Sequence, residues 1–348
     1  MRKILFLSFL VFTIVLFPQT KELKFELNDY KSLDSLASFR GICAVDKNTV
    51  WVSGSKGSVY VTRDGGKNWR KVKVPESDSL DFRDIEIISP GVIVLMSSGT
   101  GENSRIYKSD DNGKTWRIVY QNFYHDGFLD TIEFWTKRHG IAIGDPVNGK
   151  FDILLTTDGG SNWREAIRKN IPDAFAGEAQ FAASGTCISV IGNNEAWIAT
   201  GGTKARILKT TDKGLTWQIY KTPILQGQPS TGIFSIHFSN KNAGLIVGGN
   251  YLKDNDKDST SAFSVDGGKT WKLNSSGYLP YQSSVKSIKI DNRTYFISTG
   301  PAGTFYTNDL KNWQLAEKTG FHCVSVSDKD FTIWLAGSYG RVARLIIK

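Results

Sequence analysis

The chain has 348 residues, of which 12% are aromatic and 34 are glycine, a composition typical of a folded domain and not of a disordered chain. The formal net charge is +9, but the lysines and arginines are scattered without a run of five or more, so nucleic-acid binding is not indicated. The three cysteines, Cys43, Cys187 and Cys323, are too few for a disulfide framework and form no CxxC pair, which argues against zinc.

The N-terminus begins with Met1-Arg2-Lys3 and continues with mostly apolar residues from Ile4 to Phe17. A short basic head before an apolar stretch of this length predicts a secretory signal peptide over residues 1–20. The stretch is shorter than the roughly 20 residues that a membrane span needs. Because no small-x-small pattern precedes Thr20, an uncleaved anchor remains the alternative. The sequence thus predicts an exported protein (periplasmic, at the cell surface or secreted), with no membrane span after signal removal and one domain over residues 21–348.

One eight-residue pattern, Ser/Thr-x-Asp-x-Gly-x-x-Trp, recurs five times, and a sixth copy, Thr307 to Trp313, lacks the glycine. Successive tryptophans of the pattern are 42 to 54 residues apart, a spacing that indicates a repeat architecture. The aspartates and tryptophans of the six copies are Asp64 and Trp69, Asp111 and Trp116, Asp158 and Trp163, Asp212 and Trp217, Asp266 and Trp271, and Asp309 and Trp313.

The pattern predicts a tight turn between two antiparallel strands. Its Asp carboxylate can accept backbone N–H groups across the turn, and its Ser or Thr hydroxyl can satisfy a further backbone group. Glycine adopts a positive φ, and the tryptophan begins the next strand and buries its ring against the neighbouring sheet. We therefore assign these aspartates a structural role, and neither catalysis nor metal binding.

Upstream of each turn the sequence repeats an apolar alternating run, a second strand that in three units begins with Trp51, Trp197 or Trp334, and a third strand leading into the turn. Four short antiparallel strands per unit define a propeller blade. At about 47 residues per unit, the chain after the leader accommodates seven blades, with six or eight as alternatives. We predict an all-β fold, a single seven-bladed β-propeller, whose N-terminal strand (Leu23–Leu27) joins the C-terminal blade and closes the ring.

Strands alternate in direction across a blade, so the motif turns lie on one face and the loops between second and third strands lie on the other. Those loops and the blade-to-blade connections are irregular and polar, and such loops on a rigid scaffold carry function. Clustered arginines suit a carboxylate, phosphate or sulfate, and aromatic residues with polar neighbours suit a sugar ring or a peptide side chain. The residues predicted to bind a ligand there are Arg40, Arg83, Arg105, Asp130, Asp145, Glu178, Phe181, Arg206, Phe234, Tyr251, Tyr278 and Arg341.

The repeated pattern is the Asp-box, or bacterial neuraminidase repeat. Together with segments such as Gly144-Asp145-Pro146, Phe181–Gly185 and Gly232–Ile236, it resembles the photosystem II stability/assembly factor propellers and their bacterial relatives, loosely labelled oxidoreductases or glycosyl hydrolases. The resemblance covers nearly the whole chain after the leader and implies a scaffold or assembly factor, without transferring the photosynthetic role. No dinucleotide fingerprint, CxxC pair or haem-attachment motif supports an oxidoreductase, so no cofactor is expected.

Asp-boxes also resemble those of sialidases and xyloglucan-degrading hydrolases. The Arg-Ile-Pro motif of sialidases is absent here, and no spacing fixes an arginine triad, although Tyr278 or Tyr281 could supply a phenol. A glycosidase needs two facing carboxylates. The candidates for such catalytic carboxylates are Asp84, Asp130, Asp145 and Glu178.

Two functional hypotheses remain open. The first is a monomeric, non-enzymatic binding or assembly scaffold that recognises a protein or an anionic glycan on the face opposite the Asp-boxes. The alternative is a glycan-active hydrolase or lyase that uses paired carboxylates on that face. The segment Asp254–Asp258 begins like a calcium loop but lacks the glycine and the glutamate that such loops need, so no metal is expected.

Overall fold

A computed structural model describes residues 23–274 and 279–348, in which thirty strands form seven antiparallel sheets. Two short 3₁₀ helices, Gly101–Asn103 and Arg168–Asn170, lie in connections. The predicted leader and Tyr278 lie outside the described residues. Within the two described ranges, no helix has both the length and the apolar character required to cross a membrane.

The strands are named β1 to β30 in chain order. Those of the N-terminal half are β1 (Phe25–Ser32), β2 (Phe39–Ala44), β3 (Val50–Gly54), β4 (Ser58–Thr62), β5 (Arg70–Lys71), β6 (Asp81–Ser89), β7 (Val92–Ser98), β8 (Arg105–Ser109), β9 (Arg117–Gln121), β10 (Leu129–Phe134), β11 (Gly140–Val147), β12 (Lys150–Thr156), β13 (Arg164–Glu165) and β14 (Glu178–Ala179). Those of the C-terminal half are β15 (Ile188–Ile191), β16 (Glu195–Ala199), β17 (Gly201–Gly202), β18 (Arg206–Thr210), β19 (Gln218–Lys221), β20 (Thr231–Phe238), β21 (Gly244–Asn250), β22 (Ser261–Ser264), β23 (Lys272–Leu273), β24 (Ser284–Ile290), β25 (Arg293–Gly300), β26 (Gly303–Thr307), β27 (Gln314–Glu317), β28 (Cys323–Val326), β29 (Ile333–Ala336) and β30 (Arg341–Ile347).

Each sheet is one propeller blade, and four of its strands run outward from the centre in chain order, except that β1 is the outermost strand of the seventh blade. The innermost strands β2, β6, β10, β15, β20, β24 and β28 contact one another in succession, and β28 contacts β2. The ring is therefore closed and has seven blades, which confirms the predicted fold. The fifth sheet carries two additional short strands, β14 and β17, which attach to the start of β20.

Strand β1 closes the ring as the outermost strand of the seventh blade. It pairs antiparallel with β30, with Leu27 opposite Leu345 and Phe25 opposite Ile347. Without β1 the edge of β30 would present unpaired backbone groups to solvent. The predicted joining of N-terminal and C-terminal strands is thus confirmed, and the pairing extends beyond the predicted segment, as far as Ser32.

The motif turns all lie between the third and fourth strands of a blade. In the first copy the Thr62 hydroxyl donates to Asp64 (2.9 Å) and accepts the Gly66 N–H (2.9 Å), while Asp64 also accepts the Asn68 N–H (2.9 Å). These hydrogen bonds from Asn68 lower the pKa of Asp64 to about 2. In the copy without glycine, Leu310 takes the positive φ of 63°.

Tryptophans of the second strands join neighbouring blades at the motif turns. The Trp197 indole N–H donates to the carbonyl of Gly267 in the next blade (2.9 Å), and an added β-carbon on Gly113 would lie 2.8 Å from the Trp51 ring. Trp135, which is not part of this series, donates its indole N–H to the carbonyl of Glu195 (2.9 Å). Aromatic rings therefore fill the gaps between radiating sheets.

Candidate functional site

A pocket of about 500 Å³ opens on the face opposite the motif turns. It lies where the inner strands begin, and it is bordered by loops between second and third strands. We call this side the loop-rich face. The pocket is lined by Arg40, Arg83, Phe128, Asp130, Asp145, Ala179, Gln180, Phe181, Ala182, Ala183, Phe234, Tyr251, Tyr281, Pro301 and His322.

Residues 181–186, called here the crossing segment, separate this pocket from a second cavity in the channel. Ala182 and Ala183 line the pocket, whereas Ser184, Gly185 and Thr186 line the second cavity, whose volume is about 600 Å³. The central channel is therefore divided by a piece of backbone, and a ligand in the pocket meets this segment as a floor.

Side chains from several blades hold the crossing segment in place. The Ser184 hydroxyl donates to the carbonyl of Ser283 (2.7 Å), and the hydroxyls of Thr186 and Ser235 are 2.6 Å apart. Gly185 has φ +65°, and a β-carbon there would lie 2.4 Å from a carboxyl oxygen of Asp84. Glycine is required at this position because it combines positive φ with close approach to Asp84.

Two arginines at the starts of β2 and β6 also bind the crossing segment, but their charges are balanced differently. Arg83 donates to the carbonyl of Ala182 (2.7 Å) and forms a two-pronged ion pair with Asp81, with both N···O distances 2.8 Å. Arg40 donates to the carbonyl of Ala183 (3.2 Å), its one hydrogen bond among the described residues, and has no ion pair there. Burial, and secondarily the charge of Arg83, lowers the pKa of Arg40. Arg40 is therefore a half-buried cation that forms no ion pair with any described residue.

Two carboxyl groups on neighbouring strands line the other side of the pocket. Asp130 lies at a bulge in β10, and Asp145 lies one residue beyond Gly144, which pairs with Leu129. The Gln180 N–H donates to Asp145 (2.8 Å), and burial raises the pKa of Asp145 to about 6. Burial, and then the charge of Asp145, raises the pKa of Asp130 well above its usual range.

Aromatic side chains form the apolar wall of the pocket. The rings of Phe181 and Phe234 are stacked, with centroids 3.8 Å apart and planes at 7°. Tyr281 meets Phe234 edge-on at 4.8 Å, and Tyr251 meets both stacked rings edge-on. This wall offers a flat apolar surface beside the arginines and carboxyls.

His322 adds a polar group without adding charge. Its Nε2 lies 2.7 Å from the Ser338 hydroxyl. Burial, and then the nearby cations Arg40 and Arg341, lowers the pKa of His322 to about 3. The imidazole is therefore neutral at physiological pH.

The second cavity has a different chemistry. Glu86, Glu133 and Asp84 line it together with Lys286. Burial is the largest cause of the raised pKa of all three carboxyls. Asp84 accepts hydrogen bonds from the Thr131 hydroxyl and from the Ile132 N–H (2.9 and 2.8 Å). Within the described part of the chain, no group of three or more His, Cys, Asp or Glu side chains is arranged to hold a metal.

The structure brings seven of the predicted ligand-binding residues together in the pocket, and it places others elsewhere. Glu178 and Arg206 pair with each other in the interior, at 2.8 and 2.6 Å. Arg105 contacts Glu102, Glu76 and Tyr107 outside the pocket, and Arg341 donates to the Ser338 carbonyl. The seven that line the pocket are Arg40, Arg83, Asp130, Asp145, Phe181, Phe234 and Tyr251.

Several lining residues carry no sequence signal of their own. Gln180 and Phe128 lie in connections between blades, and Pro301 lies in the loop after β25. Their positions in the sequence indicate the site only in part. Gln180 lies between Glu178 and Phe181, which were predicted to bind a ligand, and Phe128 directly precedes β10. The carbonyls of Ala182 and Ala183 cannot be found from side-chain chemistry.

Several solved structures are similar to this chain over nearly its whole length. A structure of YCF48 bound to D1 peptide superposes with a TM-score of 0.63 at 13% identity, covering 92% of this chain and 95% of that chain. YCF48 from Cyanidioschyzon merolae gives 0.60 at 14% identity, covering 92% and 98%. The WD40 β-propeller domain of Doa1 gives 0.64 at 12% identity, covering 93% and 97%.

No protein-family model matches the chain, and no curated protein matches it. The site and fold define a seven-bladed β-propeller with a pocket at one end of a divided channel. The chain resembles YCF48 structurally, which confirms the resemblance drawn from the sequence at the level of the fold. Because the WD40 domain is equally similar, these likenesses show the fold alone.

Proposed function

We propose that the protein is a non-enzymatic binding scaffold whose loop-rich face recognises a protein partner and takes a carboxylate of that partner into the pocket. The observation that supports this most is Arg40, a half-buried guanidinium with one hydrogen bond and no ion pair among the described residues. Guanidinium groups bind carboxylates with two parallel hydrogen bonds. An anionic ligand group would supply the missing counterion.

The surroundings of the pocket favour a protein partner over a glycan. Large apolar side chains lie exposed on the same face, in the loops and connections around the pocket. Exposed aromatic residues are enriched at protein interfaces, where they are covered by the partner. The exposed residues on this face are Leu36, Phe123, Phe175, Tyr251, Leu252 and Tyr339.

One similar solved structure also supports a protein ligand. It is a structure of YCF48 bound to D1 peptide, and it aligns over 92% of this chain. A propeller of this shape can therefore present a peptide-binding surface. We also propose, from the basic and apolar N-terminal leader, that the protein is exported.

A glycan-active hydrolase is the second candidate, and the perturbed carboxyl pair Asp130 and Asp145 favours it. Against it, the two carboxyls project from neighbouring positions of paired strands, whereas glycosidases place them on opposite sides of the scissile bond. Assay of the protein against a glycan panel for bond cleavage separates the two functions. Turnover that is abolished by Asp130→Asn would contradict the scaffold.

A peptide array tests the scaffold directly. Peptides with Asp or Glu beside an apolar residue are expected to bind, and Arg40→Gln is expected to weaken them by about 10- to 100-fold, because a hydrogen bond to a charged group contributes about 1.5–3 kcal/mol. Arg105→Gln is the matched control, since Arg105 lies outside the pocket. Equal losses in the two variants would contradict the proposal.

A further inference from the structure

Three buried polar atoms at the base of the pocket have no hydrogen bond of normal geometry to any described residue. They are both carboxyl oxygens of Asp130 and the side-chain nitrogen of Gln180. Asp130 is 1% exposed and Gln180 is 3% exposed, and both side chains line the pocket. Leaving a buried polar atom without a hydrogen-bond partner is unfavourable, so three such atoms lining one pocket indicate a missing partner.

The neighbouring groups that could satisfy these atoms either bond elsewhere or lack normal hydrogen-bond geometry. Arg83 directs its donors to Asp81 and to the Ala182 carbonyl, not to Asp130. The backbone N–H groups of Ala182 and Asp145 lie near enough to lower the pKa of Asp130, but neither forms a hydrogen bond of normal geometry with its carboxyl. The Asp145 N–H donates instead to the carbonyl of Phe128 (2.9 Å). The carbonyl oxygen of the Gln180 side chain accepts from the Cys187 thiol at 3.9 Å, and the side-chain nitrogen has no partner among the described residues.

We infer that Asp130 and Gln180 form a subsite that binds a neutral group of the ligand, one that both donates and accepts hydrogen bonds: an amide or a hydroxyl. The inference rests on the proposed function, because the same pocket holds the carboxylate at Arg40. The acceptors of Asp130 need a donor from the ligand, and the Gln180 nitrogen needs an acceptor. One amide or hydroxyl supplies both.

Charged groups fit this place poorly. An ammonium group only donates, so it would leave the Gln180 nitrogen unpaired, and it would approach the Arg83 cation. A second carboxylate would face Asp145. Burial, and then the charge of Asp145, raises the pKa of Asp130 and so favours its neutral carboxyl. A neutral carboxyl both donates and accepts hydrogen bonds, which again matches a neutral partner.

Amides and hydroxyls can come from different parts of a ligand, and three small probes distinguish them. Each carries a carboxylate for Arg40 and a phenyl ring for the aromatic wall. 3-Phenylpropanoate has neither an amide nor a hydroxyl. N-acetyl-L-phenylalanine adds an amide, and L-3-phenyllactate adds a hydroxyl. Isothermal titration calorimetry with the full chain is expected to show about tenfold tighter binding of at least one of the last two than of 3-phenylpropanoate.

Variants of Asp130 and Gln180 test whether these two residues cause the tighter binding of the amide or hydroxyl probe. Asp130→Leu and Gln180→Leu are each expected to reduce the difference in affinity between the probes to less than about twofold. Asp130→Asn keeps a donor and an acceptor, so it is expected to retain the difference. Asp152→Asn is the control, because Asp152 is also a buried carboxyl with an unpaired oxygen but does not line the pocket. If Asp130→Leu fails to fold, Gln180→Leu carries the test.

The outcomes separate this inference from the proposed function. If all three probes bind with equal affinity, the proposed carboxylate site at Arg40 is supported and the inferred subsite is contradicted. If none binds, the proposed function is contradicted and the subsite falls with it. A crystal structure of the tighter complex in which water alone lies between Asp130 and Gln180 would also overturn the inference.

Discussion

The indole ring of Trp334 in the seventh blade lies against Gly66 in the motif turn of the first blade. A β-carbon added to Gly66 would lie 2.5 Å from the ring. The same indole meets Trp69 edge-on, with ring centroids 5.8 Å apart. Closure of the propeller therefore depends on a tryptophan–glycine contact at the junction of its last and first blades, in addition to the pairing of β1 with β30.

Replacing Gly66 by alanine is expected to weaken this junction. The overlap with Trp334 should cost about 1–3 kcal/mol in the free energy of unfolding, beyond the cost of a positive φ. Gly149→Ala is the matched control, because Gly149 has φ +76° with nothing within 4 Å of the added carbon, whereas Gly66 has φ +87°. Urea denaturation measures both, and equal losses would show that the indole contact is unimportant.

The buried ion pair between Glu178 and Arg206 is expected to be essential for stability. Arg206→Met leaves the Glu178 carboxylate, whose side chain is 0% exposed, without its partner. Removing one member of a buried pair costs about 3–5 kcal/mol. Arg117→Met is the control, since its ion pair with Asp110 is half exposed and should contribute less than about 1 kcal/mol. Similar urea midpoints for the two variants would contradict the prediction.

Stability is expected to fall as the pH rises above about 4. Burial raises the pKa of Asp84 to about 8, so between pH 4 and 8 the unfolded chain has released this proton while the folded protein keeps it. Each such group lowers the free energy of unfolding by up to about 1.4 kcal/mol per pH unit in that window. Asp84→Asn should reduce the slope measured by urea denaturation, and the exposed variant Asp126→Asn should not. An unchanged slope in Asp84→Asn would exclude this carboxyl as the cause.

Affinity for a carboxylate ligand is expected to fall as the pH rises through about 6. Ionisation of Asp145, whose pKa is about 6, adds a negative charge to the pocket that opposes an anionic ligand at Arg40. Arg83 stays paired with Asp81, and His322 stays neutral above its pKa of about 3, so neither compensates. Titration calorimetry of 3-phenylpropanoate from pH 5 to 7.5 checks this. Asp145→Asn should remove the dependence, and a dependence that persists in this variant would require another group.

Sequence reasoning succeeds where the fold repeats. The motif aspartates such as Asp64 form the same hydrogen bonds in copy after copy, because each position is fixed by local turn geometry. The count of seven blades and the closure by β1 follow from the repeat length and from the need to cover a sheet edge. These features depend on residues close together in sequence.

The candidate site was only partly predictable because its geometry depends on contacts between distant segments. Glu178 and Arg206 were expected to bind a ligand, but they are 28 residues apart and meet in the interior. Asp84 was expected on the loop-rich face, but its carboxyl lies below the crossing segment and lines the second cavity. The crossing segment itself is a long connection, and only tertiary structure shows that it divides the channel.

Hydrogen–deuterium exchange locates the binding surface most directly. The tightest acidic peptide from the array is mixed with the full chain, and exchange is compared with that of the free protein and of Arg40→Gln. The proposed function predicts protection of residues 180–185 and of the loop at Tyr251, with little change at the motif turns around Asp64 and Asp158. Protection confined to the motif turns, or equal protection in Arg40→Gln, would contradict it.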